Sequence, residues 1–251
     1  MNERTIFLGC PTHDGRMETA AADIFYSAAS KDLIIIMNNQ SSALTANCNH
    51  LYATALNYKK NHPLKWFAML HSDVIPEPLF VDKLISLAEE HNADFMSAVI
   101  PIKNHLGITS CGFRFGDSFH TRITQKQLWN EHMPATFDGP MALAAIEKMG
   151  FADKMFFQHN ELLANTGCMV VRIDKDWSDK LYFTIKDSIY QDEEGLYRVN
   201  FFPEDWNFSL MVHQHGGKVM CTREVAVKHA GGTRYSNQDQ WGNLVDPETK
   251  Y

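Results

Sequence analysis

An alternation of apolar runs with amphipathic segments fills the first hundred residues and most constrains how the chain can fold. The apolar runs are short and continuous, as in DLIIIM, and between two of them Leu44, Cys48, Leu51 and Ala55 recur at helical spacing. Strands that alternate with helices over short connections predict a parallel sheet covered by helices. The predicted strands are 5–10, 32–37, 66–70 and 93–100, and the predicted helices are 17–30, one that begins at Leu44, and 79–91.

The alternation is looser after residue 100. A hairpin is predicted over 108–124, a helix over 139–150, a strand over 162–173, a helix from Pro203, strands over 218–222 and 224–232, and a polar tail from Thr233. No linker interrupts the pattern. We therefore predict one domain, 1–251, whose halves are 1–100 and 101–251.

Composition excludes several classes of protein. The chain is 45% hydrophobic, so it has enough apolar residues for a core, and its net charge of −7 disfavours broad binding to DNA or RNA. Its five cysteines are scattered without a CxxC pair, which is typical of reduced thiols. No signal peptide and no apolar stretch of about 18 residues is present. We expect a cytoplasmic protein without a membrane span.

Three polar loops follow predicted strands: PTHDGR, NNQSS and HSDVIP. In an open α/β sheet, ligands bind beyond the carboxyl ends of the strands, where these loops would meet. His71 and Asp73, two residues apart at a strand end, are suited to holding a cation. The alternative is that the loops are polar simply because loops are exposed.

The order of these segments resembles a known family. PTHDGR, NNQSS, ANCNHL, FAMLHSD, LLANTGCMVVR, FFPEDWNFSL and VAVKHAGG follow one another much as the motifs of the family-2-like glycosyltransferases of the GT-A fold do. The resemblance spans nearly the whole chain, and over 101–160 it holds in position only. It implies an α/β fold with a central, mostly parallel sheet and helices on both faces. It also implies a nucleotide-sugar-binding half, 1–100, and an acceptor-binding and catalytic half, 101–251.

The resemblance implies roles for individual residues. Asp73 matches the last Asp of the DxD motif and His229 the late metal-binding His, whereas His71 stands where the motif has its first Asp. Asp205 matches the catalytic base of inverting members and Glu204 its neighbour. Cys48 replaces the Arg of an Arg-Asn pair whose Asn is Asn49. The donor-binding residues that the resemblance implies are Pro11, Thr12, His13, Asp14, Asn39, Asn49, His71, Ser72, Asn165 and Gly167.

The chemistry of such a transfer suits these residues. A divalent cation, Mn²⁺ or Mg²⁺, on Asp73 and His229 would neutralise the charge that develops on a leaving diphosphate. Asp205, near a helix start that favours the ionised carboxylate, would take the proton of the acceptor hydroxyl. Asp205 could instead cap its helix, and His229 could be a hydrogen-bonded histidine at a strand end. Lys103 and Arg114 are candidates for contact with a charged acceptor.

The function expected from the sequence is metal-dependent transfer of a sugar from a nucleotide-diphosphate sugar to a hydroxyl acceptor, and the donor expected from the resemblance is a UDP-sugar. The acceptor could be a saccharide, a small molecule or a hydroxymethylated DNA base, although the net charge disfavours DNA. The alternatives are a nucleotidyltransferase of similar fold, which should carry a more basic Gly-rich first loop, and a non-catalytic nucleotide-sugar binder.

Overall fold

A computed structural model describes residues 5–28, 34–115, 119–150 and 161–242. Parts of four predicted elements lie outside the described residues: the end of the helix 17–30, the start of the strand 32–37, the turn of the hairpin 108–124 and the last nine residues of the tail. Within the described ranges, no helix is both long enough and apolar enough to cross a bilayer.

The central sheet has seven strands in the order β2-β1-β3-β10-β5-β13-β8. These strands are β1 Thr5–Thr12, β2 Ile34–Gln40, β3 Leu64–Leu70, β5 Phe95–Ala98, β8 Thr136–Phe137, β10 Cys168–Arg172 and β13 Val219–Thr222. The four strands predicted in the first hundred residues are all present, and their neighbours in the sheet come from both halves of the sequence.

The sheet is mixed and not mostly parallel, which corrects the expectation from the sequence. β1 pairs in parallel with β2 and β3, and β13 pairs in parallel with β5. β10 runs antiparallel between β3 and β5, and β8 runs antiparallel to β13. A buried apolar run such as CMVVR gives no indication of direction, because both of its faces are covered whichever way it runs.

Helices cover both faces of the sheet. The six helices described are α1 Thr19–Ala28, α2 Leu44–Lys59, α3 Phe80–Glu90, α4 Gln125–Leu128, α5 Gly139–Lys148 and α6 Glu204–Gln214. The side chains of β1 alternate: Phe7 enters a core cluster with α2, α5 and α6, whereas Ile6 and Leu8 enter a second cluster with α1 and α3. This alternation divides the core into two layers.

The remaining strands form three small sheets around the central one. Their strands are β4 Val74–Pro76, β6 Ile108–Phe115, β7 Phe119–Thr124, β9 Leu162–Leu163, β11 Lys186–Gln191, β12 Tyr197–Phe202, β14 Val227–Ala230 and β15 Arg234–Ser236. The predicted hairpin is β6–β7. The predicted strand 162–173 is wrong as one element: β9 pairs with β6, β10 lies in the central sheet, and residues 164–167 connect them.

A second hairpin, β11–β12, projects from the core immediately before α6. Its two strands pair only with each other among the described residues, and Ile189, Tyr197 and Val199 are 73%, 75% and 70% exposed. The turn of this hairpin lies in the acidic segment QDEEG, and the hairpin was not among the elements predicted from the sequence.

Candidate active site

Asp73 is the centre of a small charged cluster at the end of β3. It lies in the turn between β3 and β4, and its carbonyl oxygen accepts a hydrogen bond from Ala230 N at 2.8 Å. β14 runs antiparallel to β4 and places His229 opposite Val74. Asp73 Oδ2 accepts a hydrogen bond from the Lys103 ammonium and lies 3.4 Å from His229 Nε2. Asp73, Lys103 and His229 are called the Asp73 cluster below.

The cluster strongly favours the ionised form of Asp73. Partial burial alone would raise the pKa of this carboxyl, but the hydrogen bonds and positive charges of His229 and Lys103 outweigh it and hold the pKa well below its usual range. Because His229 Nδ1 lies 2.7 Å from the carbonyl oxygen of Pro101, which can only accept, Nδ1 carries a proton. That contact fixes the orientation of the imidazole ring.

His71 is an uncharged neighbour of the Asp73 cluster at neutral pH. Burial lowers its pKa to about 4, the positive charges of His229 and Lys103 act in the same direction, and Asp73 opposes them. Within the described residues, the buried Nε2 atom of His71 has no hydrogen-bond partner.

Gly167 packs directly against His71. Its carbonyl oxygen accepts a hydrogen bond from His71 N at 2.8 Å. A Cβ atom at this position would lie 2.9 Å from Ile100 Cδ1 and 3.4 Å from His71 Nδ1, so a larger residue would have to displace the end of the Ile100 side chain. Ser72, the next residue of the loop, accepts a hydrogen bond from Glu18 N through its carbonyl oxygen at 2.8 Å.

Asn165, two residues before Gly167, is buried and hydrogen-bonds to the segments on either side of it. Its Nδ2 donates to Ala98 O at 2.8 Å, its Oδ1 accepts from Gly167 N at 3.1 Å, and its carbonyl oxygen accepts from Ser97 Oγ at 2.8 Å. These bonds fix the 164–167 connection between the Asp73 cluster and β6, where Asn165 Nδ2 also contacts Cys111 Sγ at 3.7 Å.

Asp205 and Glu204 lie at the start of α6, and α6 contacts this connection through Ser209 Oγ, which accepts a hydrogen bond from Ala164 N at 3.2 Å. Burial raises the pKa of Asp205 to about 7, the charge of Glu204 adds to the rise, and Arg122 opposes it. Burial likewise raises the pKa of Glu204. The helix start therefore does not keep Asp205 strongly acidic, contrary to the expectation. Asp205 Oδ1 does accept a hydrogen bond from Trp206 N at 2.8 Å, and the N-cap residue is Pro203.

Arg122 is a member of this region that the sequence analysis missed. Its guanidinium lies 4.4 Å from the centre of the Trp206 ring, and its Nη1 donates to Thr109 O at 3.2 Å. Trp206 itself is fully buried and donates through Nε1 to Ser110 O at 2.8 Å, so it is a packing residue. Arg122 follows His120 and Thr121 in an ordinary strand sequence, which gave no signal of its position.

Two buried thiols, Cys10 and Cys48, are affected by the charges of Asp73 and of the Glu204–Asp205 pair. Burial raises the pKa of Cys10 to about 12, and the charge of Asp73 contributes. Burial also raises the pKa of Cys48, to which Glu204 and Asp205 contribute, followed by a small effect of Cys10. The charge of Asp73 therefore reaches Cys10 in β1, and the charges of Glu204 and Asp205 reach Cys48 in α2.

The first loop contains an ordered turn. Thr12 is buried, donates through Oγ1 to Asn39 O at 3.0 Å and accepts from Gly15 N at 3.1 Å. His13 and Asp14 are exposed, and Asp14 Oδ1 accepts from the backbone N of residue 16 at 3.1 Å. The structure thus brings the predicted donor residues of the first two loops together; Pro11, next to Thr12, is buried.

Asn47 is a second missed residue at this loop. It is buried on α2, its Nδ2 donates to Thr12 O at 2.7 Å, and within the described part of the chain its Oδ1 has no partner. Asn49 behaves differently: its side chain forms reciprocal bonds of 2.8 and 2.7 Å with the backbone of Phe183. The sequence ANCNHL contains both asparagines, and only their hydrogen bonds distinguish them.

The donor set at Asp73 does not fit a divalent cation as it is arranged. Among the described residues, no group of three or more His, Cys, Asp or Glu side chains could hold a metal ion. Asp73 and His229, the two expected ligands, do lie together, but the Lys103 ammonium contacts the same carboxylate oxygen. A metal ion at that oxygen would be repelled by the ammonium at close range.

Arg114, the other basic candidate of the variable segment, lies elsewhere. Its Nη1 is 3.6 Å from Glu161 Oε2, beside β9. Lys103, which the sequence analysis considered for acceptor contact, is thus the basic residue that the fold places at Asp73.

Comparisons with known proteins give no family assignment. No family model matches the sequence, and no curated protein matches it. Similar solved structures include A197 from STIV, with 10% identity, 98% of each chain covered and a TM-score of 0.49. They also include a putative UDP-N-acetylglucosamine pyrophosphorylase from Entamoeba histolytica (8% identity, 88% of this chain and 73% of that one, TM-score 0.40). A third is GalNAc-T7 with UDP, GalNAc and Mn²⁺ (11% identity, 91% of this chain and 44% of that one, TM-score 0.44).

Proposed function

We propose that the protein transfers a sugar from a nucleotide-diphosphate sugar to a hydroxyl acceptor. One observation carries the proposal: the 164–167 connection is hydrogen-bonded both to the loop where Asp73 meets the Lys103 ammonium and to α6, which begins with Glu204 and Asp205, the latter a carboxyl group of raised pKa. Displacement at an anomeric carbon needs both, because positive charge must meet the leaving diphosphate while a base receives the acceptor proton.

The proposed reaction is a displacement at the anomeric carbon of the donor sugar. The acceptor oxygen attacks the anomeric carbon, its proton passes to Asp205, and the bond from that carbon to the diphosphate oxygen breaks with its electron pair on the diphosphate. A pKa of about 7 suits Asp205 to this task, because a base works best when its pKa is close to the working pH. Glu204 supports it through the charge that raises the pKa of Asp205.

The donor would extend from the first loop towards the Asp73 cluster. The ordered turn at Thr12 and the exposed His13 and Asp14 offer contacts for the nucleoside. The diphosphate would then meet the cluster, and residues 101–251 would contribute the acceptor site. A UDP-sugar is the donor that we propose to test first.

The test is a product analysis with UDP- and GDP-sugars, with and without Mn²⁺ or Mg²⁺, against saccharide, small-molecule and hydroxymethylated-DNA acceptors. Release of nucleoside diphosphate, with gain of one sugar by the acceptor, is expected. Release of pyrophosphate from a nucleoside triphosphate would identify a nucleotidyltransferase instead. Binding of the donor without any turnover would identify a non-catalytic binder. Asp205→Asn is the matched variant, since it should bind donor normally and transfer at least ~100-fold more slowly.

A further inference from the structure

Lys103 is held at Asp73 by the backbone of a tight reversal. Ile102 N donates to Ile108 O at 2.9 Å, and Ser110 N donates to Ile100 O at 2.8 Å. The same reversal contains Pro101, whose carbonyl oxygen contacts His229 Nδ1. The position of Lys103 is therefore coupled to the position of His229. Both side chains belong to segments whose backbones are fixed by hydrogen bonds.

The aliphatic part of the Lys103 side chain packs against Gly231, the residue that follows β14. A Cβ atom at Gly231 would lie 3.0 Å from Lys103 Cδ and 3.4 Å from Cγ, and the Gly231 amide donates to Thr233 O at 2.9 Å. The Lys103 side chain is 38% exposed, so its ammonium remains accessible to a ligand. The glycine lets the aliphatic stem pass closely over the backbone towards Asp73.

We infer that the Lys103 ammonium occupies the position where a divalent cation would act and is itself the positive charge that meets the donor diphosphate. The inference rests on the proposed function. An ammonium has three donor hydrogens, and Asp73 accepts one of them, which leaves two for phosphate oxygens. Asp73 is then a positioning residue for Lys103, and His229 lies beside the same oxygen.

The first test measures Mn²⁺ binding alone, by the loss of the electron-paramagnetic signal of free Mn²⁺. Wild-type protein should bind Mn²⁺ at least ~10-fold more weakly than Lys103→Gln, because the variant removes a competing cation from Asp73. The Lys103→Gln/Asp73→Asn double variant should lose the gain. Equal Mn²⁺ affinity in wild type and Lys103→Gln would overturn the inference, whatever reaction the protein catalyses.

The second test measures UDP binding by calorimetry in EDTA. Wild type should retain its affinity, Lys103→Gln should lose about 10–100-fold, and Lys103→Arg should recover most of the loss because it keeps the charge. Lys65→Gln is the matched control: Lys65 is also 38% exposed and pairs with a carboxylate, Glu89, at 3.0 Å. Loss of wild-type UDP binding in EDTA would overturn the inference.

The two tests separate failure of the inference from failure of the proposed function. If no nucleoside diphosphate binds with or without metal, the proposed function is wrong, and the Mn²⁺ measurement still decides whether Lys103 excludes a cation from Asp73. Exposed ion pairs contribute little to stability, so the Lys103 variants should melt close to wild type.

Discussion

The raised pKa of Asp205 predicts that Asp205→Asn makes the protein more stable above neutral pH and less active. The carboxyl titrates near its ordinary value of 3.8 in the unfolded chain and near 7 in the folded protein, where burial is the largest cause. Between these values the folded state holds one proton more than the unfolded state. The free energy of unfolding therefore falls as pH rises through this window and is constant above it.

The magnitude follows from the size of the shift. A rise of about three pKa units at about 1.4 kcal/mol per unit corresponds to about 4 kcal/mol lost by pH 8. Asparagine cannot ionise, yet it keeps an oxygen that can accept the hydrogen bond from Trp206 N. At about pH 8 the variant should gain up to this amount, which for a chain of this length raises Tm by roughly 8–16 °C.

The assay is urea denaturation of wild type and Asp205→Asn at about pH 5 and about pH 8, with kcat measured on the same preparations. The stability difference should widen by about 3 kcal/mol between the two pH values. The kcat of the variant should be ~10²–10⁴-fold lower if Asp205 is the base. Glu204→Gln should move the wild-type pH dependence to lower pH, because the charge of Glu204 raises the pKa of Asp205.

Asp138→Asn is the matched control. Asp138 accepts a hydrogen bond from Met141 N at 3.0 Å as the N-cap of α5, and asparagine caps a helix about as well. Its stability should differ little from wild type at either pH. If Asp205→Asn instead behaves as a lost cap, less stable at both pH values with unchanged kcat, the reasoning from burial is refuted.

Three further substitutions test the surrounding contacts. His71→Phe should stabilise the free protein by about 1–3 kcal/mol in urea denaturation, since it removes a buried nitrogen without a described partner, and a loss of stability would contradict this. Asn49→Ala should cost about 2–3 kcal/mol because both bonds to Phe183 are deleted, with KM for the donor within about twofold; a raised KM at unchanged stability would instead indicate donor contact. Gly167→Ala should cost about 1–3 kcal/mol in the same assay because its methyl group would meet Ile100, and wild-type stability would show that the contact is loose.

The elements of the first hundred residues could be predicted because their burial is regular. A run such as WFAML is buried along its whole length, and α2 presents Cys48, Leu51 and Ala55 to the core at helical spacing. Sequence patterns of this kind report burial and period. They do not report strand direction, so the antiparallel placement of β10 was not predictable from CMVVR.

The hairpin β11–β12 was not predicted, because its strands are not buried in a regular pattern. Its side chains are exposed or partly exposed along both strands, so no alternation of buried and exposed positions distinguishes it from a loop. Apolar residues such as Ile189 and Val199 are present, but they lie among exposed neighbours and so leave no pattern that could be recognised in the sequence.

The candidate site likewise contains features that could be predicted from the sequence and features that could not. The rule that loops meet at the carboxyl ends of strands, together with the family resemblance, predicted that Asp73 and His229 lie close together, and the structure places them 3.4 Å apart. The roles of both residues remain predictions. Lys103 was a candidate for contact with an acceptor, but its pairing with Asp73 could not be predicted, because a lysine in a loop has no pattern that indicates its partner. The raised pKa of Asp205 depends on burial by neighbours far along the chain, and no local motif contains that information.

The position of β10 in the sheet has a consequence for how the protein is synthesised. β3 ends at Leu70 and β5 at Ala98, yet the strand that pairs with both begins at Cys168, about 70 residues after β5. At about 5–20 residues per second, a ribosome needs roughly 4–15 s to supply it. During that time β3 and β5 each present an unpaired apolar edge, which is a template for pairing with other chains. We therefore expect the newly made chain to depend on chaperones or low temperature until β10 has left the ribosome.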